Sequence, residues 1–133
     1  MKDILVLLIA IQRTAKDVHY YAFGKDFYSD HLLADRIYDG LEDLMDEIQE
    51  NYFLGQEQEA IPQKVLYEEA AKEMYPYNEF SGMLKHLDNL IFNCIAKIQL
   101  MPTDGLTAGD SDLLGRICSD LQKKHGFLVR RFK

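Results

Sequence analysis

The sequence predicts an all-α protein, a four-helix bundle with one long crossover that carries a short extra helix. Three observations predict it. The 133 residues include only 8 Gly and 3 Pro, so long stretches run without a helix breaker. Within those stretches apolar residues recur at steps of three and four, the period of one helical face. Gly24, Gly55, Pro76 and Pro102 then divide the chain into pieces of helical length. A chain of this size closes a single core, so residues 1–133 form one domain.

The first helix is expected from about Lys2 to Phe23, with Ile4, Leu8, Ile11, Ala15 and Val18 on its apolar face. Gly24 ends it, and Asp26 or Ser29 caps the next. The second runs from about Ser29 to Leu54 on a stripe of Leu33, Ile37, Leu41, Leu44 and Ile48, closed by Gly55. A polar connector follows. Pro62 opens a short amphipathic helix near Gln63 to Tyr75, which can cover one end of the bundle or a neighbouring subunit, and Pro76 stops it. The third helix spans about Asn78 to Leu100, with Leu84, Leu87, Ile91, Cys94 and Ile98 inward. After Pro102-Thr103-Asp104-Gly105, the fourth starts near Asp110 or Ser111 and packs Leu114, Ile117, Leu121 and Leu128. Two long hairpins joined by such a connector form the ferritin-like arrangement.

Asp and Glu number 22 against 15 Lys and Arg, a net charge of -7. A surface of that sign repels phosphate backbones and attracts cations. The two cysteines, Cys94 and Cys118, sit in helical apolar patterns, which suits reduced thiols in a cytoplasmic protein. The apolar run Ile4 to Ile11 is too short for a bilayer and lacks a secretory cleavage site, so no membrane partner is expected.

One line of residues calls for a chemical reading. His31, Asp35, Asp39, Glu42, Asp46 and Glu50 follow one another at steps of three and four along the second helix. Neighbouring carboxylates on one helical face repel by a few tenths of a kcal/mol per pair. Solvent relieves that, or a bound cation does. Asp35 and Asp46 are about 16 Å apart along a helix axis, far beyond the roughly 2 Å reach of one metal ion. Two antiparallel copies of the helix remove the difficulty. His31 and Glu50, and likewise Asp35 and Asp46, are equidistant from a point between Gly40 and Leu41. A twofold axis there sets each residue opposite its mate's counterpart and makes two equivalent sites, with Gly40 permitting close approach. His19 and His31 are in turn centred on the first turn, so they lie at similar height across the hairpin. Imidazoles with carboxylates and no thiolate suit Fe(II), Mn or Zn.

These residues resemble the signature of the Dps family of mini-ferritins. The segment from His19 to His31, with Gly24 and Phe27 between, is similar to that family's, as are Asp35 and Asp46-Glu47-Ile48-Gln49-Glu50. The family spaces its iron-site His, His, Asp, Asp and Glu at 12, 4, 11 and 4, and residues 19, 31, 35, 46 and 50 repeat those intervals. The likeness is firm over residues 15–51 and loose elsewhere, where Asp112-Leu113-Leu114 and Phe127 to Arg130 look like the family's last helix. It implies a ferroxidase centre shared between subunits, with His19, His31 and Asp35 from one chain and Asp46 and Glu50 from its mate. It further implies a hollow dodecamer built on twofold dimers that oxidises Fe(II), preferentially with hydrogen peroxide, and stores ferric mineral. Zinc is an alternative occupant of the same site. Ordinary ferritins use Glu three residues before His, and no histidine here has it.

Two departures from the family stand out. Its tryptophan after the first histidine is Tyr20 here, and Tyr20, Tyr21 or Tyr28 would have to absorb stray oxidising equivalents. Many members carry a Lys-rich N-terminal arm that binds DNA, whereas here the first helix is expected to start almost at once, with Lys2 the only base before Arg13. Arg130, Arg131 and Lys133 read as partners of the helix dipole, so DNA binding is not expected. Asp104, Asp110 and Asp112 lie where the family lines threefold pores, although Asp110 equally suits a helix cap. His86 reads as a surface residue, and His125 is ambiguous. Two other readings compete with iron storage. One is a degenerate cage or helical assembly protein with structural zinc, and the other a di-metal oxidoreductase on a related bundle.

Overall fold

The computed structural model describes residues 1–76 and 79–133. Among them the regular elements are helical and no strand occurs. Helix α1 spans Lys2–Tyr21, α2 Phe27–Tyr38, α3 Leu41–Glu47, α4 Gln63–Glu73, α5 Phe80–Gln99 and α6 Ala108–Phe132. The segment Ile48–Phe53 is π-helical, and Gly24–Asp26 and Leu54–Gln56 are 3-10 turns.

The helices pack side by side around α1. Every residue from Ile4 to Gln12 is buried, and a helix apolar on all sides must be covered on all sides. α2, α3, α4 and α5 do so. The connector helix α4 therefore lies on α1 of its own chain, with Leu66 and Ala70 buried and Lys2 Nζ 3.2 Å from Glu69. α6 packs on α5, α2 and α3 and brings Ile117, Leu121 and Leu128 into the same core as Leu87 and Ile91 of α5. None of the described helices is long and apolar enough to cross a membrane.

The expected helix from Ser29 to Leu54 is not continuous. It breaks at Asp39 (φ -61, ψ 135) and Gly40 (φ 79, ψ -9), a type II turn whose second position only glycine fills without strain. Within the chain Gly40 is required by this backbone conformation, since no atom comes within 4 Å of where its Cβ would stand. The turn leaves the Asp39 carbonyl without a helical partner. Lys124 of α6 donates to it at 2.7 Å. Its ammonium is almost wholly buried and also pairs with Asp120 at 2.7 Å. Burial lowers the Lys124 pKa, and the Asp120 hydrogen bond and charge oppose that shift.

Other boundaries move for local reasons. The expected start of the third helix at Asn78 lies outside the described residues, and α5 runs from Phe80. α6 begins earlier than expected, capped at Thr107 by a reciprocal box: Thr107 Oγ1 accepts from Asp110 N at 3.0 Å, and Asp110 Oδ2 accepts from Thr107 N at 3.1 Å. Asp110 therefore caps from inside the helix rather than from before it. At the far end, Arg131 does more than answer the helix dipole. Its guanidinium grips the buried Asp30 carboxylate at 2.6 and 3.1 Å, tying the end of α6 to the first turn of α2.

Candidate metal centre

The chain positions its first two candidate ligands by a tight reversal. After Tyr21 the backbone extends through Ala22 and Phe23, turns at Gly24 (φ 79) and re-enters a helix at Phe27. His19 and His31 meet across that turn with rings stacked 3.6 Å apart. Each ring is held by the other residue's backbone. His31 Nδ1 lies 2.9 Å from the His19 carbonyl, and His19 Nδ1 lies 3.3 Å from the His31 carbonyl and 3.0 Å from Asp35 Oδ1.

A carbonyl or carboxylate oxygen only accepts, so Nδ1 must carry the proton in both rings. In the neutral form of either imidazole the lone pair is then on Nε2. Fixing a ligand histidine through its other ring nitrogen is how proteins orient imidazoles toward a metal. Phe27 packs on His31 at 5.0 Å and Tyr20 sits edge-on to His19 at 5.4 Å.

Asp46 and Glu50 are exposed and lie beyond the turn, Asp46 on α3 and Glu50 in the π-helical segment. The wider π turn rotates Glu50 relative to Asp46, and such turns recur at functional sites. Gln49 beside it clamps the connector: its amide donates to the Ile61 carbonyl at 2.9 Å and accepts from the Ile61 N–H at 3.0 Å. Glu42 faces inward enough for Gln12 Nε2 to donate to it at 2.8 Å. Asp46, Glu42 and Gln49 also line a cavity of about 120 Å³ together with Tyr67 of α4.

Within one chain these residues do not converge. Among the described residues, no group of three or more His, Cys, Asp and Glu side chains is arranged to hold a metal ion. His19, His31 and Asp35 stand together, while Asp46 and Glu50 stand apart on the other arm of the broken helix. Of the three candidate pore residues, Asp104 is exposed and Asp112 pairs with Arg116 at 3.0 Å. Asp110 is buried, its oxygens engaged by Thr107 and by Gln56 Nε2 at 2.9 and 3.1 Å.

Several structural partners escaped the sequence reading. The Asp39-Gly40 pair is a turn signal that the longer helical period outweighed, and Thr107 with Asp110 is a legible capping box. Nothing local marks Lys124, Gln49 or Arg131, whose partners lie 85, 12 and 101 residues away.

Comparison of the chain with family models, with curated proteins and with solved structures yields no match.

Proposed function

We propose that this chain is the subunit of a Dps-like mini-ferritin: a ferritin-like four-helix bundle that pairs about a twofold axis and oxidises Fe(II) for storage. The observation that carries the reading is the histidine pair, with both Nδ1 atoms occupied and both Nε2 lone pairs left for a metal. In this reading His19, His31 and Asp35 form one half-site, and Asp46 and Glu50 of a second copy form the other. The break at Gly40 falls at the symmetry point between the two halves. A bend at that point acts on both arms alike and so treats the two symmetry-related sites equally.

Exposed aromatic side chains surround the half-site. Tyr20 and Tyr28 are 67% and 70% exposed, and Phe23 is 73% exposed. An apolar patch of that kind marks a protein interface more often than a bare surface, and a second copy would cover it. The ligand chemistry fits iron as substrate: imidazole nitrogen and carboxylate oxygen hold Fe(II) and stabilise Fe(III) as charge rises. Each Fe(II) gives one electron, so two are oxidised per hydrogen peroxide reduced to water. The chain's part is to bind, to orient the imidazoles and to supply negative charge. A dodecameric shell in the cytoplasm with no DNA or membrane partner completes the proposal.

The test is to load iron-free protein with Fe(II) anaerobically and then add peroxide, following ferric absorbance and assembly mass together. Asp46→Ala with Glu50→Ala should abolish oxidation while the helical signal stays. Mixing that variant with His31→Ala under subunit exchange should restore part of it, and no recovery despite proven exchange refutes shared sites. A second reading, a helical assembly protein with structural zinc, is favoured by Asp35, whose carboxylate is already engaged by His19 Nδ1. Tightly held zinc without turnover would support it.

A further inference from the structure

The two cysteines have no part in that chemistry, yet the helical hairpin brings them together. α5 and α6 are consecutive, antiparallel and in contact. Their register is set by His125, whose Nδ1 lies 2.6 Å from Asp88. Cys94 is six residues further along α5 and Cys118 seven residues back along α6. The two therefore stand at the same height to within about one residue rise of 1.5 Å. Cys94 is buried in the core, and Cys118 is half-buried and packed against the same core. Both therefore lie against one core at one level of the hairpin.

We propose that Cys94 and Cys118 are a redox pair, which hydrogen peroxide joins into a disulfide linking α5 to α6. The half-buried Cys118 reacts first. Its sulfur attacks the peroxide O–O bond, gives a sulfenic acid and releases water. The Cys94 sulfur then attacks the Cys118 sulfur, the S–S bond forms, and the departing hydroxide takes the thiol proton and leaves as a second water. Two thiols are oxidised by two electrons and one peroxide is reduced.

The surroundings make the two cysteines unequal. Burial, and then the neighbouring Cys118, push the Cys94 thiol up to about 12, the mark of a thiol that does not react with solvent reagents by itself. The interaction between the two groups is a separate sign of their closeness. A thiol of high pKa is also a poor leaving group, so the bond, once made, opens slowly when a reductant attacks at the accessible Cys118 sulfur.

The test needs no iron and stands apart from the ferroxidase reading. Native protein in a chelator is treated with hydrogen peroxide, quenched, unfolded and examined by thiol titration, intact mass and non-reducing electrophoresis. The expected result is loss of both thiols, a mass lower by two hydrogen atoms and reversal by a strong reductant, all within single chains. Cys94→Ser should instead stop with one added oxygen at Cys118. Thiols that survive, an oxygen retained on wild-type Cys118 beside reduced Cys94, or chains joined to one another would each overturn the proposal.

Discussion

The contact between Arg131 and Asp30 gives the sharpest test of how this fold holds its candidate site. Asp30 is 2% exposed, while Arg131 is 35% exposed and donates to both carboxylate oxygens. Replacing Arg131 by Met keeps the stem and removes the guanidinium, leaving Asp30 buried without its cation. At these separations the Coulomb attraction is about 5 kcal/mol for an effective dielectric constant near 20, and the desolvation of both groups offsets much of it. Breaking one side of a buried pair costs roughly 3–5 kcal/mol. Because solvent already reaches Arg131, the lower end applies, about 3 kcal/mol. For a chain of this length that lowers Tm by about 10 °C.

The measurement is thermal and urea unfolding of wild type, Arg131→Met, Asp30→Asn and the double variant at neutral pH. Asp30→Asn should cost less than Arg131→Met, since it leaves a charge that water can still reach. The double variant should recover part of the Arg131→Met loss, because no carboxylate is left stranded. A loss under about 1 kcal/mol for Arg131→Met, or full additivity in the double variant, would refute the reasoning. Asp30 precedes His31 directly, so the same variant should also loosen the histidine pair.

Two further expectations concern the break in the second helix. Gly40→Ala places a Cβ at φ 79 and should cost about 1 kcal/mol in urea unfolding, with a similar penalty for any other non-glycine residue. Lys124→Met strips the Asp39 carbonyl and Asp120 of their donor and should destabilise by about 1–3 kcal/mol. It should also change the alkaline pH profile. Burial depresses the Lys124 pKa below 10.5, so between the folded value and 10.5 the unfolded chain holds the extra proton. Stability from this residue therefore rises with pH across that window. The wild-type minus Lys124→Met difference should show the rise, and a flat difference would contradict it.

Much of the fold was legible because apolar spacing reports which side of a helix is covered. The stripe Ile4, Leu8, Ile11, Ala15 and Val18 is buried as read, and Gly24, Pro62 and Pro102 do separate helices. His19 and His31 could be matched in height because one short turn joins them, and the structure stacks their rings. Two features did not follow from apolar spacing. The apolar spacing of the second helix is satisfied equally by a straight helix and by α2 and α3 joined through a type II turn. The burial of α1 on every side depends on α4 folding back across it, which a connector's composition does not specify.

By itself, the sequence determined that this is a helical protein of acidic surface, and it placed two imidazoles beside a line of carboxylates. Those properties follow from neighbours a few residues apart, where periodicity and turn chemistry act. Only the tertiary structure decided that the line breaks at Gly40, that Lys124 and Arg131 secure its two arms, and that the two cysteines share one level of a hairpin. Each of those depends on a partner distant in sequence, and its position is set by how whole helices pack rather than by any local preference.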